Sequence, residues 1–215
     1  MKLFVWDFHG VLEKGNESSV VEITNKVLEQ NGFAERIILE QVYRYYGRPW
    51  ADYFQGLLPD ISYQKCQELA EQSRKFQTDN PGVVPKHIVA NDYAVEVLSA
   101  IALKHQQILI SNVDPNALQM FLQAVGLEKF FPKERRFAAL SLMRSLYAAK
   151  QKILDKYLKH AKIQYDKIIV IGDSAKDLMH APNSVAYLYT HPGKELREAD
   201  ADYKIQDLRE ILKEI

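Results

Sequence analysis

The chain lacks the features that mark disulfide-rich, membrane-spanning or nucleic-acid-binding proteins. Its 215 residues contain one cysteine, Cys66, which excludes an internal disulfide and is typical of a reducing compartment. The 28 basic and 28 acidic residues balance, so charge gives no reason to expect a nucleic acid or membrane partner. No apolar run approaches the roughly 18–20 residues that span a bilayer. Because a strand-like segment begins at once, we expect a cytoplasmic protein without a signal peptide.

The most informative segment that is present is VWDFHG, at residues 5–10. The apolar run Leu3–Trp6 predicts a buried strand that ends at Asp7, and a glycine that permits a sharp turn follows. Open α/β sheets place their chemistry at the carboxyl ends of strands. On a strand, Asp7 and His9 would face one side and Phe8 the core, so the pair could be a nucleophile and its proton-transfer partner. A turn-forming or helix-capping aspartate is an equally ordinary interpretation.

Three further segments place polar residues where a buried element ends or begins. Strand-like runs span residues 107–110 and 168–171, and a helical pattern extends from about residue 150 to 161. The polar residues beside them are, in chain order, Ser111, Asn112, Lys150, Asp173 and Asp177. Each alone has an ordinary explanation, as a turn, a helix cap or an exposed helical lysine. Lys152 is close enough in sequence to be confused with Lys150.

Together these segments give the order strand-Asp, strand-Ser, Lys, strand-Gly-Asp-x-x-x-Asp. This order resembles the haloacid dehalogenase superfamily of aspartate-nucleophile hydrolases, and the resemblance covers nearly the whole chain. All four sequence motifs are present, and three of them close strand-like runs. One position departs from the pattern, because phosphatases of this family usually have Asp-x-Asp at the first motif and this chain has His9. The departure leaves the proton-transfer step and the reaction class open.

The pattern of elements predicts an α/β protein with a helical insert. From about residue 90 helices and strands alternate, which favours a doubly wound parallel sheet with right-handed crossovers, a Rossmann-like core. Residues 17–80 contain no convincing strand, and their apolar residues recur at helical spacing. We predict a catalytic core of residues 1–15 and 89–215 and a helical domain of residues 16–88. In the resembled family such an insert is a cap that closes over the site and selects the substrate.

Within the alternating region the individual elements are also predicted. The predicted helices are 93–104, 116–125, a helical region near 138–161, a short helix at 175–180, and 207–214. The predicted strands, besides those already described, are 185–189 and 203–205.

The resemblance implies a metal-assisted attack by a carboxylate. A carboxylate such as Asp7 can form an aspartyl-phosphate and so divide one displacement into two. Because two anions must meet, a metal and fixed cations have to neutralise charge. The implied cofactor is Mg²⁺, bound by Asp7, Asp173 and the backbone carbonyl of His9, with Asp177 bound directly or through water.

The remaining implied roles concern the phosphate and the proton. Lys150 would neutralise the nucleophile and a phosphate oxygen. Ser111 would donate a hydrogen bond to the phosphate. Backbone N–H groups near Asn112 would donate further hydrogen bonds to it. His9 could act as acid and base, or it could merely fill space and leave a slow enzyme. In the helical insert, Arg48 could bind an anionic or ring-bearing substrate, although a solvated arginine at a helix corner is the more ordinary interpretation.

Three functions therefore stay open. The leading one is a Mg²⁺-dependent phosphatase acting on a small phosphorylated metabolite, with no nucleic acid or membrane partner and an undetermined oligomeric state. The second is another hydrolase of the superfamily, either a dehalogenase, which needs no metal, or a carbon–phosphorus hydrolase, which needs a Schiff-base lysine. Candidates for that lysine are Lys14, Lys26, Lys65 and Lys75. The third is a catalytically impaired phosphate-binding protein, which only His9 supports.

Overall fold

The computed structural model of the chain describes residues 1–45, 48–139, 146–192, 194 and 198–215. Its contacts divide the chain into two compact units. The first, which we call the α/β unit, consists of Met1–Lys14 and Val89–Ile215. The second, the helical unit, is Gly15–Ile88. No helix within the described ranges combines the length and apolar character needed to cross a membrane.

The α/β unit is built on a parallel sheet. The strands among the described residues are β1 (Leu3–Trp6), β2 (Glu13–Lys14), β3 (Val89–Ala90), β4 (Gln106–Ser111), β5 (Arg136–Ala138), β6 (Ile168–Gly172), β7 (Ser184–Tyr189) and β8 (Tyr203–Ile205). Six of them form one sheet in the order β5-β4-β1-β6-β7-β8, and every pairing in it is parallel. The remaining two, β2 and β3, pair as an antiparallel ribbon. The predicted parallel α/β fold is therefore confirmed.

Strand β1 lies at the centre of the sheet, between β4 and β6. Val5 pairs in register with Ile108 on one side and Val170 on the other. All four residues of β1 are fully buried. Because strands of a parallel sheet are covered on both faces, they are continuously apolar, and this is why the run was recognisable in the sequence. The carboxyl ends of β1, β4 and β6 consequently meet at one edge.

The described residues of the helical unit form four helices, α1 (Asn16–Gln30), α2 (Leu39–Tyr45), α3 (Trp50–Leu57) and α4 (Tyr63–Asp79). Its described residues include no strand. Val27, Phe54 and Leu69, from three of these helices, pack together in one buried cluster. The Ser62 hydroxyl caps α4 by accepting a hydrogen bond from the Lys65 N–H at 3.2 Å. The sequence Gly47-Arg48-Pro49 predicts a break between two helices, and Gly47 lies outside the described residues.

The helices of the α/β unit cover its sheet. They are α5 (Ala94–Ala102), α6 (Pro115–Ala124) and α7 (Leu146–His160), with three short 3₁₀ helices at Glu128–Phe130, Lys133–Arg135 and Leu208–Glu214. Asp114 caps α6 by accepting a hydrogen bond from the Asn116 N–H at 2.8 Å. The Leu154 side chain of α7 packs with Val5 and Ile108 in the main buried cluster.

Two predicted helices in this unit are wrong in part or in whole. The helical region near 138–161 begins too early, because residues 136–138 form the edge strand β5; residues 140–145 of it lie outside the described residues. The predicted helix at 175–180 is absent, and the chain makes turns there instead. Short polar side chains that bond to nearby groups compete with helix formation, and Asp177 accepts a hydrogen bond from the Ser174 hydroxyl.

Candidate active site

Asp7 lies immediately after β1, at the edge where the strands end. Its N–H donates to the Ile171 carbonyl of β6 at 2.9 Å, and its side chain is buried. β1 ends at Trp6 and the chain turns at Gly10 with φ 75°, so Asp7 and His9 follow the strand and are not part of it. Phe8 is fully buried, as predicted.

Lys150 reaches this edge from α7. Its side chain is fully buried, and its Nζ donates to Asp7 Oδ1 and to Asp177 Oδ1, each at 2.6 Å. Lys152, two residues later, is exposed. The structure therefore places Lys150, of the two candidate lysines, between the carboxylates.

Asp173 and Asp177 come from the turns that follow β6, and both are buried. One carboxylate oxygen from each of them and one from Asp7 lie within 4.8 Å of one another. Gly172 makes this approach possible, because a Cβ at that position would lie 2.3 Å from the Asp177 Cβ. Position 172 of the Gly-Asp motif therefore has no room for a larger side chain than that of glycine.

Ser111 is the last residue of β4, the neighbour of β1. Its side chain is 1% exposed, and among the described residues its Oγ has no hydrogen-bond partner. A buried hydroxyl without a partner is unusual, and it is free to bond to a ligand. Asn112, the next residue, is exposed.

The pKa of each of these groups depends on the charges of the others. Burial raises the pKa of Asp7 to about 6; Lys150 opposes this shift, and Asp177 adds to it. Burial alone would also raise the pKa of Asp177, but Lys150 outweighs it and holds that pKa below its usual value. Burial disfavours the charged ammonium of Lys150, yet Asp177 and Asp7 outweigh it and raise the pKa of Lys150 above its ordinary value. One lysine therefore does not fully neutralise the carboxylates around it.

The sequence matches the family model of the haloacid dehalogenase-like hydrolases over residues 4–186. This chain belongs to that family. Among curated proteins, a search found no significant match. Solved structures share the fold over nearly the full length of the chain.

Solved structures similar to the hydrolase share its fold at low sequence identity. A haloacid dehalogenase-like family protein from Streptococcus pneumoniae has a TM-score of 0.76 at 14% identity, over 99% of this chain and 97% of that one. A protein described as a predicted phosphoglycolate phosphatase from Haemophilus somnus has a TM-score of 0.73 at 16% identity, over 99% and 97%. A family hydrolase from Deinococcus radiodurans, solved with bound phosphate and sodium, has a TM-score of 0.62 at 17% identity, over 98% and 92%.

The donor set of the hydrolase fits a hard divalent cation. Asp7, Asp173 and Asp177 offer only oxygen ligands, and their carboxylates are buried together. Lys150 engages one oxygen of Asp7 and one of Asp177, and the second oxygen of Asp177 accepts a hydrogen bond from the Ser174 hydroxyl. The excess of buried negative charge gives a physical reason for a cation at this place.

The side chain of His9 is held by a residue that the sequence analysis missed. His9 Nδ1 lies 2.8 Å from Glu13 Oε1, and the Gly10 N–H donates to the same oxygen at 3.2 Å. Glu13 is fully buried. A positive charge on His9 would lower the pKa of Asp7, which places the two side chains within electrostatic range. The four-residue spacing of His9 and Glu13 was the available signal, but it has meaning only once the intervening turn is known.

Arg48 lies in the helical unit, where it is exposed. Its guanidinium carbon lies 5.9 Å from the centre of the Tyr45 ring. Its neighbour Trp50 is half-buried and donates from Nε1 to the Thr24 hydroxyl at 3.0 Å, which gives that aromatic residue a packing role. The role of Arg48 in substrate binding stays a prediction.

Proposed function

We propose that this hydrolase is a Mg²⁺-dependent phosphatase of a small phosphorylated metabolite that works through an aspartyl-phosphate on Asp7. The observation that carries the proposal is the position of Lys150 Nζ, 2.6 Å from carboxylate oxygens of both Asp7 and Asp177, inside a buried cluster of three aspartates. Such a site can hold an anionic nucleophile, a cation and an anionic substrate together. The phosphate bound to the Deinococcus radiodurans relative supports the same substrate class.

In the first step an oxygen of Asp7 attacks phosphorus. The bond from phosphorus to the ester oxygen breaks, and the leaving oxygen takes a proton from His9. Lys150 neutralises charge on Asp7 and on a phosphate oxygen, and the unpaired Ser111 hydroxyl donates to another. When bound, Mg²⁺ would be held by Asp7, Asp173, Asp177 and the His9 carbonyl, and would stabilise the negative charge on the oxygens of the phosphoryl group.

In the second step water attacks the phosphorus of the aspartyl-phosphate. Neutral His9 takes a proton from the water, the bond between phosphorus and Asp7 breaks, and phosphate leaves. This returns Asp7 to its carboxylate form. The helical unit is proposed as the cap that selects the substrate and excludes water, with Arg48 as a contact for an anionic group.

The other hydrolase reactions have less support from the structure. A dehalogenase needs no metal, which would leave the clustering of Asp173 and Asp177 without a purpose. A carbon–phosphorus hydrolase needs a neutral amine for its Schiff base. All four candidate lysines instead form ion pairs with exposed carboxylates: Lys14 with Asp92, Lys26 with Glu29, Lys65 with Glu68 and Lys75 with Asp79.

The test is a screen of purified protein against phosphorylated metabolites, with Mg²⁺ and with EDTA, beside an Asp7→Asn variant. We expect turnover that requires Mg²⁺ and is lost in Asp7→Asn, because an amide is not a nucleophile of this kind. Acid-quenched protein should retain radiolabelled phosphate from substrate only when Asp7 is present. Turnover that survives both EDTA and Asp7→Asn would overturn the proposal.

A further inference from the structure

Glu13 is a fully buried carboxylate whose ion-pair partner, among the described residues, is His9 alone. A single β-bridge joins the backbones of these two residues across the turn at Gly10. The turn brings Glu13 Oε1 to 2.8 Å from His9 Nδ1 and to 3.2 Å from the Gly10 nitrogen. One ring nitrogen of His9 is therefore within hydrogen-bonding distance of a carboxylate that is not exposed to water.

The carboxylate of Glu13 has one oxygen that the fold does not use. Glu13 Oε2 is buried and has no hydrogen-bond partner in the described part of the chain. A buried polar atom left without a partner destabilises the folded state. An apolar side chain of similar size would avoid this cost but would leave the buried Gly10 N–H without its hydrogen bond. The contact of Glu13 Oε1 with His9 Nδ1 is the one that reaches a residue of the proposed proton transfer.

The contacts of the ring define which nitrogen is available for chemistry. The His9 ring lies 5.1 Å from the Phe8 ring at an interplanar angle of 72°, and 5.5 Å from the Phe121 ring at 60°. Its Nε2 has no hydrogen bond to any described residue, and the side chain is 21% exposed. Since a carboxylate accepts hydrogen bonds, Nδ1 carries the hydrogen of the neutral ring and Nε2 keeps the lone pair.

We propose that Glu13 is the positioning residue of the proton-transfer step: it orients the His9 ring and fixes the tautomer whose Nε2 exchanges protons with the leaving oxygen and with water. A carboxylate that holds an imidazole in this way serves the same purpose in other hydrolases. The neutral imidazole and the carboxylate together carry one negative charge, the same as the single aspartate usual at this position in the family. This inference rests on the proposed function and assigns it a residue outside the four sequence motifs.

The tautomer is the first test, and it does not depend on activity. Long-range proton–nitrogen spectra of ¹⁵N-histidine-labelled protein distinguish the two tautomers of each ring. They should be recorded at a pH at which the nitrogen shifts themselves show the His9 ring to be neutral. The His9→Asp variant assigns the His9 signals among the 6 histidines. We expect hydrogen on Nδ1 in the native protein and a weakened preference in Glu13→Gln. Hydrogen on Nε2 in the native protein would overturn the proposal without any variant.

Kinetics provide the second test. Glu13→Gln should lower kcat roughly 10–100-fold, the scale for removing a group that orients a functional histidine, with KM changed less than about twofold. In a His9→Asp background the same substitution should change kcat less than about twofold. If Glu13 had only a structural role, Glu13→Gln would lower kcat by the same factor in the native protein and in His9→Asp. The matched control is Glu17→Gln, a second buried glutamate nearby in sequence, which should leave kcat unchanged.

The two tests separate this inference from the proposed function. Absence of turnover on every phosphate ester would overturn the phosphatase, while the tautomer measurement would still support or reject the orienting role of Glu13. Turnover with equal losses in both His9 backgrounds would keep the phosphatase and overturn the role of Glu13.

Discussion

At the scale of single residues, the buried cation Lys150 decides the electrostatics of the site. Its side chain is fully buried, and its ammonium is held between two carboxylates at 2.6 Å. Removing one member of a buried charge cluster leaves the others uncompensated, which is more damaging than losing a surface pair. Asp7 would then take up a proton at a still higher pH, because the group that lowers its pKa would be gone.

We therefore predict that Lys150→Ala lowers kcat about 10²–10³-fold, since a preorganised charge aimed at the phosphate is lost. The control is Lys152→Ala, an exposed lysine on the same helix, which should stay within about twofold of the native kcat. Steady-state kinetics on an aryl phosphate measure both. Equal losses in the two variants would remove Lys150 from its proposed role.

Gly172 is the second residue whose identity the site requires. A Cβ there would lie 2.3 Å from the Asp177 Cβ, so one of the two must move. We predict that Gly172→Ala weakens Mg²⁺ binding at least about tenfold and destabilises the fold by roughly 1–3 kcal/mol, as overpacking does. Calorimetric titration with Mg²⁺ and urea unfolding measure the two effects. Gly82→Ala, where an added Cβ meets nothing within 4 Å, is the matched control and should change neither.

At the scale of elements, the central strands could be read from the sequence and the short ones could not. β1 and β6 are continuous apolar runs because both faces of the sheet are covered. The edge strand β5 has three half-buried residues and no apolar run, and the ribbon of β2 and β3 has two residues in each strand. Such segments are set by their partners in space, which no local pattern records.

The lack of a local sequence pattern also explains which residues of the site were predicted and which were missed. Asp7, Ser111 and Asp173 close recognisable strands, so the sequence predicts that they share one edge. The pairing of His9 with Glu13 depends on a turn that ends in the short strand β2, and was therefore missed. That Lys150, and not Lys152, is the buried lysine depends on how α7 is rotated against the sheet.

The buried carboxylate of Glu214 connects the C-terminal 3₁₀ helix to the sheet through hydrogen bonds. It accepts hydrogen bonds from Lys167 Nζ at 2.8 Å and from the Tyr187 hydroxyl at 2.8 Å. Burial disfavours its charge, but Lys167 and Tyr187 outweigh burial and hold the pKa of Glu214 below its ordinary value of 4.5. Because the folded pKa is the lower one, this stabilisation is fully present above pH 4.5 and is lost as pH falls through the folded pKa.

We predict that Glu214→Gln lowers the free energy of unfolding by roughly 1–3 kcal/mol at pH 7, the scale of hydrogen bonds to a charged group. The difference from the native protein should shrink as the pH is lowered below 4.5. Urea unfolding followed over pH 3–8 measures it. Glu210→Gln, an exposed glutamate of the same 3₁₀ helix, is the control and should be neutral. A difference independent of pH would show that charge is not the cause.

At the scale of the whole molecule, the carboxylate cluster and its lysine belong to one of the two units. Asp7, Lys150, Asp173 and Asp177 all lie in the α/β unit. A ligand that binds only the folded form of a unit stabilises that unit by mass action. Domains with their own cores can unfold separately, so stabilisation by Mg²⁺ should be confined to the α/β unit.

The chain offers one natural reporter for each unit, because its 2 tryptophans are divided between them. Trp6 is buried in β1 and donates to Gln107 Oε1 at 3.1 Å, while Trp50 lies in the helical unit. Trp50→Phe leaves only the reporter of the α/β unit, and Trp6→Phe leaves only that of the helical unit. Urea unfolding of each variant by fluorescence therefore follows one unit at a time.

We predict that Mg²⁺ at roughly 100 times its Kd stabilises the unit reported by Trp6 by about 2.7 kcal/mol and leaves the unfolding reported by Trp50 unchanged. Asp173→Asn should abolish the shift of the Trp6 signal, since it removes a carboxylate from the cluster. A shift that persists in Asp173→Asn would mean that Mg²⁺ binds elsewhere. Equal shifts of both reporters would show that the two units unfold as one, and no shift of either would remove the metal from the proposed site.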